Sequence, residues 1–307
     1  MISMRYHALS IGAVFLALAI GVVLGSTGLS DRLVSAVSTE RDDLAGQVTQ
    51  LRAQRDDLAA QQRAADEFAA RVGPSAVRGA LPGKSVTLVS LGGDAADVAA
   101  VSGLVGQAGG TVAGQVRLTD AVTDPARADQ LRELASRLLP AGAQLPAASD
   151  TGSLAGGLIG SALLTAPNGP ATNATQAQAV LAGLSAAGFA EPGATAAPAG
   201  MVVVVTGGAA QGLDAADAAA TTARLASELD RRGGGAVLAG RTGSADATGA
   251  IGVVRADKAS AGGLSTVDDV QTGTGRVATI LALREQAAGG TGQYGSAGDA
   301  AAPAPQP

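Results

Sequence analysis

At 307 residues and a net charge of −5, the chain has room for extended segments and one globular domain of ordinary size. Its basic side chains are scattered rather than gathered into the stripe that nucleic-acid binding needs. It has no cysteine, which removes thiolate metal sites, cysteine nucleophiles and iron–sulfur clusters together, and its few aromatics, Tyr6, Phe15, Phe68, Phe189 and Tyr294, fall far short of the two girdles of an outer-membrane β-barrel.

The first element is an uncharged apolar run, Ala8 to Leu24, reading ALSIGAVFLALAIGVVL. A bilayer core takes roughly 20 apolar residues as helix, and a slightly shorter run spans when its flanks reach the interface. We therefore expect an N-terminal membrane anchor at 1–28. Arg5 and His7 precede the run and no acid does, so the N-terminus is expected to stay in the cytoplasm. That predicts a single pass through the cytoplasmic membrane, with the rest of the chain in the envelope space. Val23-Leu24-Gly25 before Ser26 would serve a cleaved signal peptide, and the length of the run favours retention.

After a break at Gly25-Ser26-Thr27-Gly28, residues 29–73 carry a heptad. Val37, Leu44, Leu51, Leu58, Ala65 and Val72 fall at d, and Val34, Arg41, Val48, Arg55, Gln62 and Ala69 at a. A sustained seven-residue repeat needs a partner helix to bury its seam. The predicted stalk is a parallel homodimer through Val37, Leu44, Val48, Leu51, Arg55 and Leu58. Arginine at a snorkels outward and restricts register at a cost in stability, leaving room for exchange with another coiled-coil protein. Packing of the helix back on the globular domain is the alternative, and Gly73-Pro74 is expected to end it.

From residue 84 to 290 the period changes to that of an α/β domain. Strands are predicted at 85–91, 111–118, 201–205, 235–240 and 251–255, and helices at 95–108, 125–139, 152–164, 175–187, 214–231 and 276–287. This alternation predicts a Rossmann-like, mostly parallel sheet. MVVVV at 201–205 suits a strand covered on both faces. Strand, Gly-Gly and helix occur twice, at 86–108 and 202–231, suggesting two similar halves. From Ser296 to Pro307 small residues and proline predict a disordered tail.

Gly92, Gly93, Gly207 and Gly208 are candidate ligand turns, and Gly273-Thr274-Gly275 precedes the last helix. Glycines between a strand and a helix can set backbone N–H groups against phosphate, but none here fits a dinucleotide or P-loop motif. His7 is the only histidine, so a Ser-His-Asp arrangement within the domain is ruled out and no enzyme is expected. Asp257, Asp268 and Asp269 could gather around a hard metal, though solvated loop acids explain them better, and no metal or cofactor site is assigned. Soft copper donors are limited to Met1, Met4, His7 and Met201, too few for a high-affinity Cu(I) site on the domain.

The opening MISMRYHALSIGAVFLALAIGVVLGS, the heptad stalk and the stretch LSTVDDVQTGTGRVATILALREQAAGGTGQYG at 264–295 resemble the mycobacterial copper transport protein B (MctB) family of actinobacterial cell-envelope proteins. The likeness covers 1–295. It implies a role in copper transport or homeostasis, copper entering through the resemblance alone. Corynebacterial relatives imply the alternative of a coiled-coil scaffold that recruits or activates a peptidoglycan hydrolase in cell separation.

Overall fold

The computed structural model describes residues 4–26, 29–140, 143–148, 150–165, 173–257 and 262–306. The chain divides into two compact units, Met1–Arg63 and Ala64–Pro307. The first holds α1 (Met4–Ser26) and most of α2 (Leu29–Ala76). Over Met4–Val23 the mean hydropathy is 2.0 and no residue is buried, so α1 is long and apolar enough to cross a membrane. Of the expected break, Gly25 and Ser26 close α1, while Thr27 and Gly28 lie outside the described residues.

Gly73-Pro74 does not stop α2. Proline removes one N–H in the last turn, but Val77 N still donates to the Gly73 carbonyl at 3.0 Å and the helix runs to Ala76. Gly73 instead permits close packing, because a Cβ there would lie 2.9 Å from Val277 Cγ2.

The second unit is an α/β sandwich. Its strands are β1 (Ser85–Leu91), β2 (Thr111–Leu118), β3 (Thr195–Ala196), β4 (Met201–Thr206), β5 (Ala236–Gly240), β6 (Ser265–Val267) and β7 (Gln293–Tyr294). They lie in the order β3-β2-β1-β4-β5-β6-β7, with every neighbouring pair parallel except the antiparallel β2–β3 edge. Helices α3 (Ala95–Gln107), α4 (Ala128–Leu138), α5 (Thr151–Leu163), α6 (Ala174–Ala186), α7 (Ala215–Arg232), α8 (Ala250–Ala256) and α9 (Gly273–Ala287) cover the faces.

Alternation along the strands builds two cores. Val202 and Val204 join α4 to α8 on one face, while Val203 and Val205 join α3 and α9 on the other. MVVVV is thus buried on both sides, as its composition requires. Three glycines one turn apart bring α5 against α7: a Cβ at Gly156 would lie 2.7 Å from the Leu225 carbonyl oxygen, and Gly152 and Gly160 meet Thr221 and Arg232.

Two expectations give way. Residues 251–255 form helix α8 rather than a strand, because Ile251 and Val254, three apart, share the buried side while Gly252 and Val253 do not. The place beside β5 goes to β6, whose run of only three residues carries too little periodicity to be recognised. Nor is the stretch from Ser296 loose over its described part, to Gln306. Ser296 N and Ala297 N donate to Asp268 Oδ1 at 2.8 and 3.0 Å, Ala301 N donates to the Gln293 carbonyl at 2.8 Å, and Ala302 and Ala304 pack on the core. Small side chains that predicted disorder here let backbone pair closely with β7. Pro307 lies outside the described residues.

Candidate functional site

The connection after β1 leads through α3 to β2, and that after β4 leads through α7 to β5 on the opposite side. The sheet therefore reverses its winding between β1 and β4, where α/β proteins of this type hold ligands beyond the carboxyl ends of the strands. The four candidate glycines meet there. Gly92 has φ 68°, and a Cβ at Gly207 would lie 2.9 Å from the Gly92 carbonyl oxygen. A Cβ at Gly208 would fall 2.6 Å from the Thr242 carbonyl oxygen, and one at Gly93 would fall 2.7 Å from that of Val205. Glycine is required because three backbone segments converge, which sequence alone could not separate from phosphate binding.

Gly92, Gly207 and Gly208 border a crevice of about 320 Å3, whereas Gly93 packs beneath it. Asp120, Thr123, Thr206 and Thr248 contribute polar groups, and Leu91, Ala219 and Ala250 contribute apolar wall.

The starts of α3 and α9 carry side-chain caps. Asp94 Oδ1 accepts from Ala96 N at 2.8 Å at the start of α3. At the start of α9, Gly275 N donates to Thr272 Oγ1 at 2.9 Å and Gly273 N to Asp66 Oδ1 at 2.7 Å. These bonds occupy one amide at the start of α3 and two at the start of α9, whereas Asp214 makes no side-chain cap hydrogen bond at the start of α7. The Gly273-Thr274-Gly275 turn is thus a capped helix start packed on Asp66 and Ala69.

Sequence reasoning missed the buried ion pairs around these turns. Asp97 is fully buried between Arg241 Nε, at 2.7 Å, and a terminal nitrogen of Arg276, at 2.9 Å. Arg241 also reaches Asp94 at 3.1 Å, and its hydrogen bond to Asp97 raises its pKa against the opposing effect of desolvation. Buried Arg255 meets Asp268 at 2.9 Å, Asp299 at 2.7 Å and the Tyr294 carbonyl at 2.8 Å. Tyr294 donates its hydroxyl to Glu285 Oε2 at 2.5 Å; burial, and then that carboxylate, raise the phenol pKa. The only hint in the sequence was a lone acid within an apolar helix, ADVAAV at 96–101, since its partners lie far along the chain.

The three aspartates considered for a metal take separate places. Asp268 faces Arg255, Asp269 lies against Gly275, and Asp257 is at the exposed end of α8. Among the described residues no group of three or more His, Asp or Glu could hold a metal ion. Met4 and His7 are exposed on α1, Met201 is buried in β4 beside Gly235, and Met1 lies outside the described residues. Val37, Leu44, Val48, Leu51 and Leu58 are exposed along α2, and exposed Arg55 pairs with Asp56 at 2.6 Å.

The family described as copper transport outer membrane protein, MctB, matches residues 1–305. Proteins named copper transporter MctB from Mycobacterium tuberculosis and Mycobacterium bovis are 46% identical over 305 residues, covering 96% of this chain and 96% of each relative. The copper transporter MctB of Mycobacterium leprae is 42% identical over 307 residues with the same coverage.

Proposed function

The chain belongs to the MctB family of copper transport outer membrane proteins, and from that membership we propose a role in copper transport or homeostasis as a non-enzymatic, membrane-anchored envelope protein. The observation that carries this reading is identity that runs from end to end, through anchor, helix and α/β unit alike. An apolar helix at the N-terminus supports anchoring, and Arg5 ahead of it favours an inside N-terminus with one pass. Exposed apolar residues at heptad spacing support pairing of α2 with a second copy in parallel.

Copper is the cargo in this reading, and the soft donors describe how it is met. Met4 and His7 sit three residues apart at the start of α1, so they share one side of the helix. Met201 is shut into the sheet, and among the described residues no soft donor lines the crevice between β1 and β4. We therefore propose that copper handling depends on the anchored assembly and not on a tight Cu(I) site within the α/β unit.

The test is deletion of the gene in its own host. Copper tolerance should fall and cell-associated copper should rise, with both restored by the full chain. Unchanged tolerance and unchanged copper content would remove the proposal. Cu(I) titration of the detergent-solubilised chain against a competing chelator addresses the mode. Met201→Leu should leave affinity unchanged within twofold, and a tenfold loss would place copper in the α/β unit after all.

A further inference from the structure

We propose that the crevice between β1 and β4 binds a small, uncharged, polyhydroxylated molecule of the saccharide class. The place is the point where the sheet reverses its winding, beyond the carboxyl ends of β1 and β4, and the volume of about 320 Å3 lies at the lower end of small-molecule sites, roughly 300 Å3 upward.

The lining sets the chemistry. Among the described lining residues there is no lysine or arginine, and the one charged group is the Asp120 carboxylate, which forms no ion pair with another described residue. A phosphate or carboxylate guest would face that acid with no cation to offset it. Two more acids, Asp214 and Asp217, stand at the start of α7, whose Ala218, Ala219 and Thr222 form one wall. Thr206 and Thr248 line the crevice without side-chain hydrogen bonds to other described residues, so their hydroxyls are available to a guest.

Hydroxyls that both donate and accept, a carboxylate that accepts from adjacent hydroxyls, and main-chain groups of the glycine turn match a ligand made of hydroxyl groups. The apolar patch of Leu91, Ala219 and Ala250 suits the C–H face of a sugar ring. Among the described residues no aromatic side chain lines the site to stack on that ring, so weak binding is expected.

The experiment is ligand-observed saturation-transfer NMR on the full chain in detergent micelles, with glucose, galactose, arabinose and N-acetylglucosamine as neutral probes. Inorganic phosphate and AMP form the anionic arm, read as shifts in melting temperature. At least one neutral sugar should receive saturation. Thr206→Val and Asp120→Asn should each weaken it at least fivefold in competition, and Ala218→Leu, which reaches into the crevice, should abolish it. Asp120 is exposed, so its variant should keep the wild-type melting temperature and report on binding alone. The proposal is overturned if no neutral sugar is saturated, if saturation is unaffected by all three variants, or if only phosphate or AMP stabilises the protein. The outcome does not depend on copper, so it is separable from the transport reading.

Discussion

Asp97 is fully buried and held by two arginines, which makes its loss costly. Truncation would leave Arg241 and Arg276 facing each other without their shared acid. Breaking a fully buried pair from one side costs about 3–5 kcal/mol, and with Arg241 and Arg276 40% and 28% exposed the cost lies toward the lower end, still above the about 1 kcal/mol of a helix N-cap. Asp97→Ala should therefore lower the melting temperature of the α/β unit several times more than Asp94→Ala, in calorimetry of the detergent-solubilised chain. Equal shifts would mean that water reaches Asp97.

Asp269 makes a prediction of opposite character. Burial pushes its carboxyl up to about 6, the neighbouring Asp268 adds to this, and a hydrogen bond from Thr272 opposes it. Burial likewise pushes Asp230 up to about 6. Between the ordinary value of 3.8 and 6 the folded protein holds more protons at these groups than the unfolded chain does, so their ionisation removes stability as pH rises through 6. Asp269→Asn should stabilise the protein at pH near 7.5 by on the order of 1–2 kcal/mol and lose that advantage near pH 4. An advantage independent of pH would show that charge is not the cause.

At the scale of elements, glycine acts in two opposite ways. On α5, Gly156 lets the α7 backbone approach, and a methyl group there would have to displace the Leu225 carbonyl region. On α2, Gly46 has nothing within 4 Å of a Cβ position and only weakens the helix. Gly156→Ala should destabilise by about 1–3 kcal/mol and Gly46→Ala should increase helix stability by about 0.5–1 kcal/mol, read by thermal unfolding followed at 222 nm. Two changes of the same sign would contradict the packing described. Elements with a long amphipathic period, such as α7, or a continuous apolar run, such as the valine-rich β4, were legible in the sequence because one face or both faces must be apolar. The short ones were not, since α8 and β6 have too few residues for period to tell helix from strand. The candidate glycines were legible as strand-to-helix turns, but their chemistry was not. The acids that close the helix starts include Asp66, which lies more than two hundred residues before Gly273 and reaches it only through the fold.

For the whole molecule, the proposed parallel pairing turns on the exposed apolar side chains of α2. Leu44, Leu51 and Leu58 each leave more than half of their surface in solvent, at 54%, 63% and 65%. Burying the part of each leucine still exposed recovers about 1–2 kcal/mol, so in the proposed parallel pair three layers in two copies gain an amount comparable with the general cost of association, and the intervening a positions decide the balance. Arg41 and Arg55 weigh against pairing: in a parallel, in-register pair each faces its own copy, and both must snorkel to escape. Replacing Leu44, Leu51 and Leu58 together with glutamate should make the detergent-solubilised chain monomeric in analytical ultracentrifugation, with the melting temperature of the α/β unit unchanged. Replacing Arg41 and Arg55 with leucine should tighten the proposed dimer at least tenfold and reduce its dependence on salt. A glutamate variant that stays dimeric would move the interface elsewhere. An arginine variant with no gain would show that the seam is staggered or antiparallel, an arrangement in which arginines need not meet their own copies and which two chains anchored by N-terminal helices in one membrane could not readily adopt.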